Sequence, residues 1–330
     1  MKSRILISGG YGLVGGFIAR HIRKLNKEVE LILAGRNPEK GAALAQELGG
    51  ATTARLDVSN PERELSEVGP VELIVAALQD PGDNLIHAAL ERGIAHIGIT
   101  KLAEDVAPVT FAAVRSPPKR PIVLLGHWQA GVLTHVARKA VEPFSRIDSL
   151  QLAGVYDTKD PIGPMTANDT EHFIGRALLR EEGVWKWVDA TQHGRSLRLG
   201  DERVSQGLPM SVLDVPSLAT VTGAPNVRFD LVQGESLGTR AGGPASHDLY
   251  IDIEGRLKDG TPAHRRTMVS DPVGNAHMTA LGVLVVIERI LGLDGRPAAH
   301  GGLQLPETLV APDEAIARFK QFGVRIVSDA

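Results

Sequence analysis

The rhythm of apolar and polar residues changes along the chain. Through the first third, short apolar runs alternate with stretches whose apolar positions recur every three to four residues. The runs predict strands buried on both faces and the longer stretches predict crossover helices, the pattern of parallel βαβ units. Strands are predicted at residues 4–9 and 29–35, in ATTARLDV, VELIVAAL and IAHIGIT, and at 120–126. Residues 13–25 and about 38–48 read as helices, the second opened by a proline whose missing N–H has no partner to lose in a first turn. Asp83 or Asn84 is placed to cap LIHAALERG, and EDVAPVTFAAVRS reads as a further helix. Six strands with short crossovers predict an α/β protein with a doubly wound parallel Rossmann sheet.

Beyond about Arg146 the spacing shifts to period two. SLQLAGVY, SLRLG, VRFDLV and HDLYIDIEGRL alternate in the manner of half-buried antiparallel strands, and KDG reads as a turn into AHRRTMVS. HMTALGVLVVIERILG, residues 277–292, reads as a helix buried on most of its surface. These patterns predict a Rossmann domain over 1–135, an inserted α+β substrate and dimerisation domain over 136–276, and a C-terminal helical return over 277–330 packing on the Rossmann domain. A chain of 330 residues is long enough for two cores.

Composition narrows the classes. A net charge of −3 makes no electrostatic case for nucleic acid or an anionic membrane as partner. No window approaches the roughly 18 uninterrupted apolar residues of a spanning helix. The basic N-terminus leads straight into a strand, so a cytoplasmic location is expected. With no cysteine, disulfides, cysteine-ligated zinc and chemistry through an enzyme thiolate are excluded. The histidines show no H-x-x-x-H or H-E-x-x-H spacing, and no metal site is expected.

SGGYGLVGG, between the first strand and the first helix, holds glycines in two registers: Gly10, Gly12 and Gly15, or Gly9, Gly12 and Gly15. In this strand–turn–helix setting such a loop cradles a dinucleotide pyrophosphate at a helix N-terminus. Tyr11, Leu13 and Val14 complete the loop. The second strand ends Ala34-Gly35-Arg36-Asn37, without the carboxylate that would hold the ribose 2′-hydroxyl of NAD. Arg36 offers a planar fork for a 2′-phosphate, which favours NADP over NAD, although it reads also as a surface salt-bridge residue. Asp57 and Val58 are placed to flank the adenine, with a solvated turn aspartate as the other reading. Ala76, Ala77 and Leu78 are expected beside the nicotinamide ribose.

The glycine spacing also occurs in short-chain dehydrogenases, which require a Tyr-x-x-x-Lys pair. Tyr11, Tyr156 and Tyr250 are followed four residues later by Gly15, Asp160 and Glu254, so that mechanism is excluded. The expected register is therefore Gly10, Gly12 and Gly15, with Gly9 as the last strand residue and a source of slack.

In order along the chain, ILISGGYGLVG, LILAGRNPEK, the LDV after the third strand, VAALQDPGDNLIHAALERGIAHIGIT, PIVLLGHWQAGVLTHVARKA and LPETLVAPDEAIARFKQFGVRI resemble the saccharopine dehydrogenase-like family. The chain departs from it at Gly98-Ile99-Thr100, where the family often has an aspartate, and at Gly126-His127-Trp128-Gln129. The resemblance implies an NADP-dependent oxidoreductase acting on a small molecule by hydride transfer at a carbon–nitrogen bond, and a homodimer formed through the middle-domain sheet. An NADP-binding redox sensor without turnover and a carbonyl or C=C reductase are the alternatives.

Catalytic candidates sit at strand ends, which are expected to face one cleft. His127 reads as a proton donor or substrate orienter, or equally, with Trp128, as a packing pair. Lys101, beside Thr100, reads as an acid, a binder of substrate carboxylate, or a solvated helix-start residue. His277 and His172 are further candidates that read also as structural histidines, and Tyr156 and Asp157 are weaker ones.

Overall fold

In the computed structural model of the chain, residues 3–163, 175–200 and 203–329 are described. The chain divides into two compact units: Met1–Gly126 with Ala280–Val310, and His127–Thr279 with Ala311–Ala330.

The first unit begins β1 (Arg4–Ser8), α1 (Leu13–Leu25), β2 (Glu30–Gly35), α2 (Ala42–Leu48), β3 (Ala51–Arg55), α3 (Pro61–Val68), β4 (Leu73–Ala76), α4 (Asn84–Arg92), β5 (Ala95–Gly98), α5 (Val106–Arg115) and β6 (Pro121–Leu124). Every residue of β4, β5 and β6 is buried, as consecutive apolar residues require when helices cover both faces of a sheet. The strands lie in the order β6-β5-β4-β1-β2-β3 and all pair in parallel. From β1 the sheet grows one way to β2 and β3, then the other way from β4 onward. That reversal places a crevice at the carboxyl ends of β1 and β4, where doubly wound sheets take their ligands.

Three details differ from expectation. A seventh strand, Gly302–Gln304, pairs in parallel with β6, and its three half-buried residues carry no apolar run to announce it. Helix α3 also stands between β3 and β4. Asp83 is the N-cap residue of α4 but makes no side-chain capping bond. Instead the Asp80 carboxylate accepts from the N–H groups of Asn84 (3.1 Å) and Leu85 (2.8 Å).

The second unit carries α6 (Val132–Ala140) and strands β7 (Phe144–Tyr156), β8 (Arg176–Glu181), β9 (Val184–Asp189), β10 (Arg195–Arg198), β11 (Val204–Pro209), β12 (Val227–Gln233), β13 (His247–Leu257) and β14 (Pro262–Asp271). Its sheet runs β10-β11-β12-β7-β13-β14 and ends on Arg325–Ser328, with the β8–β9 hairpin attached to β12. The sheet is mixed where an antiparallel one was expected, because β12 lies parallel to β7 from Val227↔Leu150 to Gln233↔Tyr156. Alternation along a strand reports half-burial, and direction is left to the connection. Here that connection includes the β8–β9 hairpin and helix Asp214–Thr222.

The C-terminal segment is the largest correction. Residues 277–330 do not form one return on the Rossmann sheet, since helix Pro312–Gln321 and strand Arg325–Ser328 belong to the second unit. Phe319 is fully buried there, its ring 6.3 Å from that of His135, and Arg325–Ser328 pairs antiparallel with β14.

Among the described residues, two histidines are buried without a hydrogen-bond partner for either ring nitrogen: His96 on β5 and His135 on α6. Burial pushes both pKa values down to about 3, with the charge of Lys101 adding to the shift at His96 and that of Arg138 at His135. A base depressed on folding contributes its stability above its unfolded pKa and loses it as pH falls toward the folded value. Denaturant unfolding between pH 7.5 and 4.5 is therefore expected to show stability declining below about pH 6.5. His135→Leu should make that decline shallower, and an unchanged slope would contradict the reading.

Candidate functional site

The glycine loop is held by backbone-to-backbone approach. β1 stops at Ser8, and Gly9 takes a φ of +78°. A Cβ at Gly9 would stand 2.7 Å from the Ala77 carbonyl oxygen, so Gly9 is a required glycine and not slack. Its N–H donates to the Ala34 carbonyl at 2.8 Å and its carbonyl accepts from Gly12 N–H at 2.9 Å. A side chain on Gly15 would collide with that same carbonyl, and one on Gly10 would press on Leu33. Gly12 differs: a Cβ there would meet only the Gly9 carbonyl, at 3.1 Å, and the residue is exposed. The two registers thus describe one loop, with Gly9, Gly10 and Gly15 packed inside it and Gly12 open to the outside.

Gly12 is also the N-cap of α1, which has no side-chain cap and no acidic residue in its first turn. The first N–H groups of a helix have no intrahelical acceptors and carry its positive end. Leu13 is exposed and Val14 half-buried on this turn. The open backbone at Gly12 and the uncapped helix end fit a phosphate-bearing ligand.

Tyr11 ties this loop to the end of β2. Its ring lies where side chains on Gly35 and Gly41 would stand, and its hydroxyl accepts from Asn37 N–H at 3.0 Å. Arg36 and Asn37 beyond it are exposed, and no ion pair engages the Arg36 guanidinium among the described residues. The salt-bridge reading of Arg36 therefore has no partner here, whereas Arg55 is occupied by Glu64 at 2.9 Å. Asp57 takes the turn-forming arrangement: its carboxylate accepts from Ser59 N–H (3.1 Å) and Oγ (2.7 Å), bonds that hold it below the usual carboxylate range. The Val58 carbonyl accepts from Asn84 Nδ2 at 2.9 Å. Ala76 is buried at the end of β4, and Ala77 N–H donates to the Ser8 carbonyl at 2.9 Å, which sets this backbone beside the glycine loop.

Lys101, past the end of β5, is mostly buried and paired. Its Nζ lies 2.6 Å from Asp83 Oδ1 and 3.3 Å from the Asp80 carbonyl oxygen. Asp83 is itself held at a φ of 54°, a left-handed conformation that costs an aspartate energy.

The other candidates lie in the second unit. His127 is buried, with Nε2 2.8 Å from Ser217 Oγ. Burial, with the neighbouring His135 adding, lowers its pKa to about 3. It is therefore neutral at ordinary pH.

Trp128 and Gln129 anchor a network that the sequence did not reveal. Trp128 N–H donates to Asp214, which also accepts from Thr134 Oγ1 at 2.6 Å. The Trp128 indole packs tilted against Phe229, ring centres 4.8 Å apart, in space left by the missing side chain of Gly154. Its Nε1 lies 3.2 Å from His247 Nε2, and Gln129 Nε2 reaches that same nitrogen at 2.8 Å. An indole N–H only donates, so His247 Nε2 must accept and the ring is neutral with its proton on Nδ1. Nδ1 stands 3.8 Å from Asp160 Oδ2. Burial raises the Asp160 carboxyl to about 6, against the bond it accepts from Asn275 N–H and with the charges of Asp157, Asp271 and Asp248 adding. The amide oxygen of Gln129 accepts from Thr279 Oγ1. Gln129 and Ala130, both buried, have φ values of 53° and 50° ahead of Gly131 at 88°.

His277 is buried, with Nδ1 2.7 Å from Asp271 Oδ2. Tyr156 is half-buried, while Asp157 is committed to Ser236 N–H (2.8 Å) and Thr239 Oγ1 (2.6 Å). His172 lies outside the described residues. Of the network residues missed by sequence reading, Asp214 and Ser217 share one turn of the helix Asp214–Thr222, while His247 and Asp160 come from other parts of the chain. Among the described residues no group of three or more acids and histidines is arranged to hold a metal ion, and no helix is long and apolar enough to cross a membrane.

Neither a protein-family model nor a curated protein matches the chain. Solved structures do. Apo saccharopine dehydrogenase (L-Glu forming) from Saccharomyces cerevisiae aligns over 99% of this chain and 100% of its own, with a TM-score of 0.73 and 11% sequence identity. A probable dehydrogenase from Thermotoga maritima aligns over 98% of each chain, with a TM-score of 0.51 and 12% identity. At such identities the likeness shows the fold: this chain has the architecture of saccharopine dehydrogenase, a parallel Rossmann-type sheet with a second unit built on a mixed sheet.

Proposed function

We propose that the chain is an NADP-dependent oxidoreductase that acts on a small molecule by hydride transfer at a carbon–nitrogen bond. The observation that carries this reading is the uncapped N-terminus of α1 above the open backbone of Gly12, with an unpaired Arg36 where an NAD enzyme has a carboxylate. Gly10, Tyr11, Gly12, Leu13, Val14 and Gly15 would hold the pyrophosphate. Arg36 and Asn37 would hold the 2′-phosphate, Asp57 and Val58 the adenine side, and Ala76 and Ala77 the nicotinamide ribose. When bound, the nicotinamide supplies or accepts the hydride. Likeness to saccharopine dehydrogenase in fold supports chemistry at a C–N bond, by analogy.

The chain's own groups take three roles. Lys101, kept in place by Asp83, supplies a cation for an anionic substrate group. His277, oriented through Nδ1 by Asp271, carries the exchangeable proton on Nε2. His127, neutral and fixed by Ser217, orients.

Two measurements test this. Titration of Arg36→Ala is expected to weaken NADP roughly ten- to a hundredfold, the value of a charge-assisted hydrogen bond, and to leave NAD within about twofold. An unchanged NADP/NAD ratio would remove the role of Arg36. NADPH oxidation should be followed with imines, keto acids plus amines, and simple carbonyls, with turnover expected on the imine-forming pairs. His277→Gln should then lower kcat by about a hundredfold or more, while Lys101→Ala acts mainly on KM. Tight NADPH binding without any turnover would identify a sensor, and turnover on carbonyls alone a carbonyl reductase.

A further inference from the structure

β2 and β3 end side by side and bring two arginines to one corner of the first unit. Gly35 is paired with Arg55, and Leu56 N–H donates to the Gly35 carbonyl at 3.0 Å. Neighbouring strands lie about 4.8 Å apart, so Arg36, just past β2, and Arg55, at the end of β3, reach the same edge of the sheet together. The Arg55 side chain is 58% exposed, yet it is fixed at two points. Nη1 donates to the Arg36 carbonyl at 3.0 Å and Nε donates to Glu64 Oε1 at 2.9 Å. Glu64, on α3, is only 12% exposed, and its other oxygen accepts from Asp57 N–H.

The way Glu64 divides its oxygens leaves part of Arg55 unused. Where Glu47 meets Arg20, both carboxylate oxygens close on one guanidinium, through Nε (2.7 Å) and Nη2 (2.8 Å). Glu64 commits one oxygen to the backbone instead and grips Arg55 by its Nε edge alone. Among the described residues, which here run unbroken from 3 to 163, no partner takes Nη2. The guanidinium is a rigid fork of N–H donors, so the Nη1–Nη2 edge can still serve an anion. The Asp57 carboxylate is not that anion, because Ser59 N–H and Oγ already donate to it. Those bonds lower its pKa, and the charges of Arg55 and Arg36 add to the shift, so both cations act on one small volume.

We propose that Arg55 is a second ligand of the cofactor's 2′-phosphate, presenting its Nη1–Nη2 edge to the same phosphate as Arg36. The inference rests on the reading of this strand end as a 2′-phosphate site and adds to it a specificity-determining residue from the neighbouring strand. A phosphate monoester carries close to two negative charges on three acceptor oxygens, enough for two guanidinium forks. Arg36 is a long exposed side chain that loses rotamer freedom when it closes on a ligand. Arg55 has already lost that freedom to Glu64 and the Arg36 carbonyl, so its bonds to phosphate carry little further ordering cost. A ribose 2′-hydroxyl offers no charge to this edge, and Arg55 therefore discriminates between the two cofactors.

Calorimetric titration of the full chain with adenosine 2′,5′-bisphosphate and with 5′-AMP tests this without any turnover. The native chain should prefer the bisphosphate. Arg55→Ala should weaken the bisphosphate roughly tenfold, the value of a charge-assisted hydrogen bond, and leave 5′-AMP within about twofold. Arg55→Gln, which keeps N–H donors for Glu64 and the Arg36 carbonyl but no charge, should show the same split with the corner intact. Arg63→Gln removes a charge from the exposed side of α3 and should change neither nucleotide. A preference that survives both Arg55 variants but disappears in Arg36→Ala would overturn the proposal and leave the 2′-phosphate reading standing. Equal weakening of both nucleotides in both Arg55 variants, or the same split in Arg63→Gln, would also overturn it. A native chain that binds the bisphosphate no better than 5′-AMP would overturn that reading and the proposal with it.

Discussion

One carbonyl group, that of Gly9, organises the first unit. It accepts the N–H of Gly12, and a side chain on Gly15 would collide with it. The loop can turn from β1 into α1 only because Gly9, Gly10 and Gly15 lack side chains, while Gly12 leaves its outer side open. Once that turn is made, α1 starts without a cap, and its unpaired N–H groups face the outside at Gly12. Tyr11 extends the same constraint sideways, since its ring occupies the space above Gly35 and Gly41 and its hydroxyl takes the Asn37 N–H. The loop after β2 is thereby tied to the loop after β1, and Arg36 is left at its tip.

The second unit stores strain where the first stores openness. Gln129 and Ala130 hold left-handed backbone conformations that cost about 1–3 kcal/mol each. The Gln129 amide bonds to His247 and Thr279, and the preceding Trp128 N–H bonds to Asp214, fixing both flanks of this turn. Such strain persists only where the surroundings over-determine it, and it concentrates at functional sites. Its visible product is a placement: the Gln129 amide and the Trp128 indole converge on one nitrogen of His247 and set the tautomer of that ring.

Electrostatics divides the candidate groups. Burial holds His127 and His247 neutral, whereas Asp160 is shifted toward the protonated acid by burial and by three nearby carboxylates. Lys101 keeps its partner Asp83 at contact distance in a mostly buried setting, where removing either member would leave a charge without its counterion. These are positioned groups, suited to orienting a ligand with little reorganisation.

By itself the sequence determined six strands of the parallel sheet, most of its helices and the glycine loop, because these rest on local rules. Consecutive apolar residues make strands buried on both faces, three-to-four spacing makes helices, and glycines between strand and helix make room for phosphate. It also placed Arg36, since an absent carboxylate at a strand end is visible in one dimension. The tertiary structure alone decided that Gly9 is required, that β12 runs parallel to β7, and that the last strand joins the second sheet. It alone brought His247, Asp160 and Asp214 to Trp128 and Gln129. In each case the deciding quantity is a distance between residues far apart in the chain, and neither periodicity nor spacing encodes it. His127 marks the boundary: its position at a strand end was legible, but its neutrality was not, because burial depends on what the rest of the chain packs around it.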